Sequence, residues 1–162
     1  MRAVAALKPR YLTIHAAGGP AMLRAAAEAA AKSGKDRVKL LGVTVLTSLD
    51  DEDLKRVGFA DRAMAEHVAA LAAMARECGL DGVICSPHEV AGLRRAMGPD
   101  FVLMVPGVRP TWADAGDQKR VMTPAEAMRA GATHLVIGRP ITKAADPLEA
   151  AKRIAGEFPA AA

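Results

Sequence analysis

The sequence predicts an α/β fold, specifically a parallel barrel, and three features of the chain support this prediction. Short apolar segments alternate with longer Ala- and Leu-rich segments through the 162 residues, which is the pattern of strands joined by helical crossovers. The apolar segments are continuous rather than alternating, so both faces of the sheet should be buried. Two segments end in loops with Gly, Pro and Arg, at residues 106–110 and 138–142, and parallel barrels bind anions with such loops.

Five apolar segments predict the strands and so determine how much of a barrel the chain supplies. The predicted strands are residues 11–15, 38–46, 82–85, 101–105 and 133–137. The remaining segments predict helices at residues 21–32, 50–57, 61–79, 88–97, 124–130 and 147–157. A complete (β/α)8 barrel needs about 250 residues. We therefore expect a single domain, residues 1–162, that forms a partial barrel of about five strand–helix units.

Three of the predicted helices begin with the same local chemistry. Residues 86–89, 123–126 and 146–149 each place a capping side chain first, a proline second and a glutamate fourth. The cap accepts a hydrogen bond from a backbone N–H, and the glutamate can reach back to the N–H of the cap. Ser48, with Asp51 three residues later, predicts a fourth helix start of the same kind.

Composition argues against several classes of partner. The net charge is +4 and the charged residues are interleaved, which favours a solvated surface over a nucleic-acid patch. Aromatic residues make up only 3% of the chain, too few for a base-stacking surface. No signal peptide and no uncharged apolar run of about 18 residues is evident, so we expect no membrane partner. The two cysteines and four scattered histidines form no metal motif and fit a reducing, cytoplasmic setting.

The long connection between residues 105 and 123 is the first candidate site. It follows a predicted strand and contains Gly107, Pro110 and Gly116. Connections of this length are usually functional or disordered, and we favour function because it lies where barrels place their active sites. Arg109 offers a planar fork for phosphate, and Gln118 can both donate and accept hydrogen bonds.

The loop after the last predicted strand is the second candidate site. Gly138 permits close approach of the backbone to a ligand, so that its N–H can bind a phosphate oxygen, and Arg139 can pair with the same group. The alternative is a surface arginine after a turn. We favour phosphate binding because this loop complements the one that precedes it.

Other polar residues are more ambiguous. Thr47 lies at the end of the second predicted strand, where its side chain either faces the pocket or only ends the strand. His15, at the end of the first strand, is predicted to be a hydrogen-bonded structural residue rather than a catalytic one. Cys85 is predicted to be a small buried residue rather than a nucleophile, since no basic partner lies near it in sequence to activate a thiolate. No strand carries lysine and aspartate close together.

Taken jointly and in order, several motifs resemble the orotidine 5′-phosphate decarboxylase family from about Leu12 through Lys152. The resemblance rests on residues 13–19, 43–49, 81–87, 106–110, 116–118, 136–142 and 146–147. It implies a (β/α)8 barrel of the ribulose-phosphate-binding type. It also implies conversion of orotidine 5′-monophosphate to UMP and CO₂ in de novo pyrimidine biosynthesis, by a homodimer without metal or organic cofactor.

The resemblance further implies roles for the candidate residues. Arg139 and the Gly138 backbone would bind the 5′-phosphate, and Gln118 would reach toward the phosphate and the pyrimidine. Thr47 would contact the neighbourhood of the base, and Arg109 would support the phosphate-loop region. The active sites would lie at the interface between the two subunits.

One departure from the family is large. The family's catalytic motif, aspartate-x-lysine-x-x-aspartate, is absent, as are the first strands. The chain therefore resembles the carboxyl-terminal portion of the enzyme, with no catalytic residue of its own. We expect no measurable decarboxylase activity, and we expect unpaired edges at the first and last strands to promote association. The alternatives are a sugar-phosphate decarboxylase or aldolase on the same barrel, or a non-catalytic remnant that binds phosphate or a partner subunit.

Overall fold

A computed structural model describes residues 2–34, 37–59, 61–113 and 121–158. Its centre is one five-stranded sheet in which all neighbouring strands are parallel and follow in chain order. The strands are β1 (Tyr11–His15), β2 (Lys39–Val43), β3 (Gly82–Ile84), β4 (Val102–Val105) and β5 (His134–Leu135). The α/β class, the parallel arrangement and the number of strand–helix units are confirmed.

Helices precede, separate and follow the strands. They are α1 (Arg2–Ala5), α2 (Gly19–Ala31), α3 (Asp51–Arg56), α4 (Met64–Glu77), α5 (Val90–Met97), α6 (Pro124–Arg129), α7 (Arg139–Thr142) and α8 (Pro147–Ala155), with 3₁₀ turns at Ala16–Gly18 and Pro87–Glu89. The sequence predicted neither α7 nor the first of these turns. Within the described residues, none of the helices combines the length and apolarity needed to cross a bilayer.

The predicted helix caps are confirmed at two starts and partly confirmed at the third. Ser86 and Thr123 each form a reciprocal capping box, with Glu89 and Glu126 respectively. At the third start, the Asp146 carboxylate accepts hydrogen bonds from two backbone N–H groups, both at 3.0 Å. Glu149 pairs with Lys152 at 2.8 Å instead of completing a box.

The prediction of Ser48 as a cap is wrong. The cap of α3 is Asp50, whose carboxylate accepts a hydrogen bond from the Asp53 N–H at 2.9 Å, while Asp53 accepts one from the Asp50 N–H at 3.2 Å. A turn closed by the hydrogen bond from the Leu49 N–H to the Leu46 carbonyl precedes it. Ser48 lies inside that turn, too early to reach the first helical N–H groups.

The two faces of the sheet have different surroundings because side chains alternate along each strand. The outer face contributes Leu40, Val83, Leu103 and Val105 to a dry core. The helices α2 to α6 complete this core with Leu23, Leu54, Val68, Ala72, Leu93 and Ala127. This outer layer is the principal hydrophobic core of the chain.

The inner face is closed toward the amino ends of the strands and open toward their carboxyl ends. Leu41 and Val102 are buried on this face. Thr13 and His15 are exposed, and Val136 is 45% exposed. A complete barrel packs this face as an interior core, so the open end is the inside of a barrel that the described strands only partly enclose.

A side-chain contact joins the two edge strands across the inner face. The Tyr11 hydroxyl lies 3.0 Å from Nε2 of His134, and the two rings meet edge to face. Burial lowers the pKa of His134 below 6.5, and the positive charges of Arg10 and Lys39 lower it further. The contact shows that the sheet is curled, as a barrel requires.

Within the described residues, β1 pairs only with β2, and β5 pairs only with β4, so both predicted open edges are present. β5 is shorter than the predicted segment 133–137. The Val136 N–H still donates to the Val105 carbonyl at 2.9 Å. Beyond that point β4 turns away through Pro106 and Gly107, whose φ of 76° requires glycine, and no ladder can continue.

Candidate functional site

The parallel sheet brings the candidate loops to one edge of the molecule. Because all five strands run the same way, their carboxyl ends lie together. Thr47 follows β2, the segment 106–110 follows β4, and Gly138 and Arg139 follow β5. Four of the five predicted site residues therefore lie at this edge. The fifth, Gln118, lies outside the described residues.

The connection after β4 has a defined base. Val108 forms an isolated parallel bridge with Met122, and the Arg109 N–H donates to the Met122 carbonyl at 2.9 Å. The chain therefore leaves and re-enters the fold at a single point. This closed base holds the connection at the carboxyl edge of the sheet, as the sequence predicted for a functional loop.

Arg109 lies in that base rather than on the surface. It is only 9% exposed, and its guanidinium donates to the Val108 carbonyl at 2.8 Å. A buried cation with a backbone partner maintains the shape of the loop base and adds positive potential beneath the carboxyl edge. This position fits a supporting residue better than one that grips a ligand directly.

Gly138 and Arg139 begin the short helix α7 rather than an irregular loop. The Gly138 carbonyl accepts hydrogen bonds from the N–H groups of Ile141 and Thr142 at 2.9 and 3.0 Å. Among the described residues other than Gly138 and its chain neighbours, no atom lies within 4 Å of where a Cβ of Gly138 would stand, so the space beside its backbone is open to them. Arg139 is exposed. Proline at the second helical position, Pro140, is the sequence signal that could have identified this helix.

Thr47 is buried, with 9% exposure, so it lies against the protein rather than in open solvent. Two further polar groups, which follow β2 and β3 and which sequence reasoning did not assign to the site, are also buried. The Thr44 hydroxyl donates to the Ile84 carbonyl at 2.8 Å, and Glu89 accepts from the Ser86 N–H at 2.7 Å. These bonds join the carboxyl ends of β2 and β3 to the structure around them.

His15 and the cysteines complete the account of candidate reactive groups. His15 is exposed and makes no side-chain capping bond to the turn that follows it, so the predicted structural hydrogen bond is not seen there. Cys78 and Cys85 are both buried thiols, and the burial confirms the prediction for Cys85. In the described part of the chain, no group of three or more His, Cys, Asp or Glu residues is arranged to hold a metal ion.

The fold and the carboxyl-edge loops define a protein of the (β/α) barrel class. The sequence profile described as "Orotidine 5′-phosphate decarboxylase / HUMPS family" matches residues 1–154. The chain belongs to this family.

Named relatives and a solved structure agree with that assignment. The chain is 54% identical over 161 residues to the orotidine 5′-phosphate decarboxylase of Moorella thermoacetica, covering 97% of this chain and 64% of the relative. It is 52% identical over 162 residues to that of Paramagnetospirillum magneticum, covering 98% and 68%. The crystal structure of the Lactobacillus acidophilus decarboxylase superposes with a TM-score of 0.82 at 40% identity, covering 98% and 67%. The chain thus spans about two thirds of the length of these relatives.

Proposed function

We propose that this chain forms the phosphate-binding side of an orotidine 5′-phosphate decarboxylase. The complete enzyme would convert orotidine 5′-monophosphate to UMP and CO₂ in de novo pyrimidine biosynthesis. The observation that carries the proposal is the meeting of the loops after β4 and β5 at one sheet edge, in a chain that belongs to this family.

The proposed contacts follow from the chemistry of each group. The Gly138 N–H would bind a phosphate oxygen through the open space beside its backbone, and the exposed Arg139 guanidinium would pair with the same dianion. Arg109, buried in the loop base, would add positive potential and hold the loop. Thr47 would border the base, and Gln118 would reach the phosphate and the pyrimidine.

Loss of CO₂ leaves a carbanion, so turnover needs a positioned proton donor. The five described strands contain one lysine, Lys39, which lies at the amino end of β2 in register with Tyr11. That is the edge opposite the proposed phosphate site. We therefore propose that the chain by itself binds the nucleotide but does not decarboxylate it. From the family resemblance we also propose that no metal or organic cofactor takes part.

A calorimetric titration of the purified chain with UMP tests the binding part of the proposal. We expect Arg139→Ala to weaken UMP binding at least tenfold, because a charge-assisted contact to phosphate is lost. Arg95→Ala is the matched control, since Arg95 is also exposed but lies on α5. Equal UMP affinity in wild type and Arg139→Ala, or tighter binding of a pentulose 5-phosphate than of UMP, would contradict it.

An absorbance assay with orotidine 5′-monophosphate tests the catalytic part. We expect no decrease in substrate absorbance above the buffer rate. Robust turnover by the 162-residue chain would refute the proposal that the chain by itself does not decarboxylate the nucleotide.

We also propose that the chain forms a homodimer through the carboxyl side of β1 and β2. Met22, Leu46 and Val57 are large apolar residues that are 41%, 49% and 61% exposed, and they belong to the segments that follow these two strands. Sedimentation velocity should show a dimer that Leu46→Glu disrupts and Leu148→Glu does not. Leu148, 64% exposed on α8, is the matched control; a monomeric wild type would exclude the dimer.

The setting we propose is the cytoplasm. Cys78 and Cys85 are buried thiols, and thiols stay reduced in that compartment. Fractionation of cells that express the chain should recover it with cytoplasmic marker proteins.

A further inference from the structure

The single tryptophan of the chain connects the two candidate loops. Trp112 lies in the connection after β4, just beyond Arg109. The guanidinium carbon of Arg153 lies 4.7 Å from the centre of the Trp112 ring, within the range of a cation–π contact. Arg153 belongs to α8, which packs against α7, the helix that begins at Arg139. The contact therefore links the element that holds Arg109 to the element that holds Arg139.

The chain around Trp112 is shaped by a turn and by the loop base. The Ala113 N–H donates to the Pro110 carbonyl at 3.0 Å, and Pro110 is buried. On the other side, the bridge between Val108 and Met122 fixes the start of the segment. Residues 108–113 are thus held at the base by backbone hydrogen bonds and at Trp112 by Arg153.

The indole nitrogen shows which part of Trp112 carries this contact. Nε1 is buried and is the one buried side-chain donor among the described residues that finds no hydrogen-bond partner. A buried polar group without a partner is unfavourable, so the N–H does not account for the position of the ring. The ring face, against Arg153, does.

We propose that Trp112 and Arg153 are positioning residues that hold the loop after β4 against α8. Their contact sets the position of Arg109 relative to Gly138 and Arg139. The consequence for nucleotide affinity rests on the proposed function, whereas the coupling between the two loops is a property of the fold itself.

Amide hydrogen exchange of the full chain tests the coupling without a ligand. Arg153→Gln removes the charge while keeping a long polar side chain, and Trp112→Leu removes the aromatic face while keeping apolar bulk. We expect both to speed exchange about tenfold in residues 108–113 and also in residues 138–143. Arg153→Lys and Trp112→Phe keep a cation and a ring, and should exchange at close to the wild-type rate.

The control variants distinguish this role from simple packing. Trp112→Phe also removes the unpartnered N–H, so its melting temperature should equal or exceed that of the wild type. Wild-type exchange rates in Arg153→Gln, or faster exchange confined to residues 108–113, would overturn the proposed coupling. Because Arg153 is exposed, Arg153→Gln should fold, and its melting temperature checks this.

UMP titration of the same variants separates this proposal from the proposed function. We expect a three- to tenfold loss of UMP affinity in Arg153→Gln and recovery in Arg153→Lys. Unchanged affinity in Arg153→Gln would overturn the positioning role while leaving UMP binding intact. If the wild-type chain fails to bind UMP, the proposed function fails, and hydrogen exchange alone still decides whether the loops are coupled.

Discussion

The outer and inner faces of the same sheet differ in how completely this chain covers them. On the outer face, Leu103 and Val105 are fully buried under helices. On the inner face, Val136 is 45% exposed, and Ile84 and Met104 are only half-buried. Both faces carry apolar side chains of similar size, so the difference lies in what covers them.

This difference shows which part of a barrel is autonomous. Helices that follow each strand along the chain can cover the outer face locally. The inner face is covered only when strands from the whole circle converge. A chain that spans about two thirds of its relatives' length can therefore cover the outer face of the sheet but not the inner face.

The largest expected difference in unfolding free energy is between substitutions of one side chain on each face. Leu103→Ala removes a fully buried side chain and should lower the free energy of unfolding by about 3 kcal/mol, from lost burial plus a cavity. Val136→Ala should change it by less than about 0.5 kcal/mol, because much of the side chain is already solvated. Urea denaturation measures both. Equal losses would mean that association in solution covers the inner face.

The next effect concerns a polar contact within the outer layer. Arg94 donates to the carbonyls of Gly98, Pro99, Phe101 and Gly131 at 2.6 to 3.1 Å, which joins the end of α5 to two loops. Arg94→Ala should lower the unfolding free energy by about 2 kcal/mol, since charge-assisted hydrogen bonds to four carbonyls, most of them partly buried, are lost. The neighbouring Arg95→Ala is the control in the same urea titration. A loss below about 0.5 kcal/mol would show that water replaces the hydrogen bonds that Arg94 donates to these carbonyls.

A third prediction uses pH. Burial alone would raise the pKa of Asp81, but hydrogen bonds from Arg37 and from the Leu40 N–H outweigh it, and the pKa lies below its ordinary value of 3.8. A carboxyl with a lowered pKa in the folded state stabilises it above the ordinary pKa, and this contribution is lost as the pH falls below about 4.

Asp81→Asn should therefore lower stability by about 1 kcal/mol at pH 7, with a difference from wild type that shrinks toward pH 2. Thermal melts across that range measure it. A difference independent of pH would show that the charge of Asp81 does not matter.

The smallest effect concerns the closed end of the inner face. Tyr11→Phe keeps the ring but removes the hydroxyl that meets His134, and should lower the unfolding free energy by about 0.5 to 1 kcal/mol.

Because burial lowers the pKa of His134 below 6.5, its neutral form is favoured in the folded state. Stability should then decrease as the pH falls through about 6.5. A His134→Gln variant with the same decrease would assign it to another group.

Sequence reasoning recovered the elements whose signals are local. The five strands were predicted because each is a run of β-branched and apolar residues, and the caps at Ser86 and Thr123 because their chemistry lies within four residues. The cap of α3 was misplaced because Ser48 and Asp50 are both good caps, and only the turn at Leu46–Leu49 decides between them. The sequence does not predict α7, because Gly138 and Pro140 lie close together and both residue types are typical of loops.

For the candidate site, the sequence predicted its location better than its details. Loops that follow parallel strands must share an edge, so Thr47, Arg109 and Arg139 come to one side of the sheet. Arg109 is buried in a loop base closed by the bridge between Val108 and Met122, which no local pattern specifies, whereas Arg139 begins α7 and is exposed. Their roles toward a nucleotide stay predictions.

By itself, the sequence determined the order of elements and the parallel sheet, because these follow from local composition and periodicity, and its motifs, taken in order, resemble those of the family. Only the tertiary structure decided which face of the sheet is covered and which distant residues meet. Tyr11 and His134 are 123 residues apart, and they touch because the sheet curls. Trp112, in the connection after β4, and Arg153, on α8, likewise lie 41 positions apart in the sequence and meet only in the folded chain. The first contact depends on the curvature summed over all five strands and the second on how α8 packs beside the connection after β4, and no single segment contains either quantity.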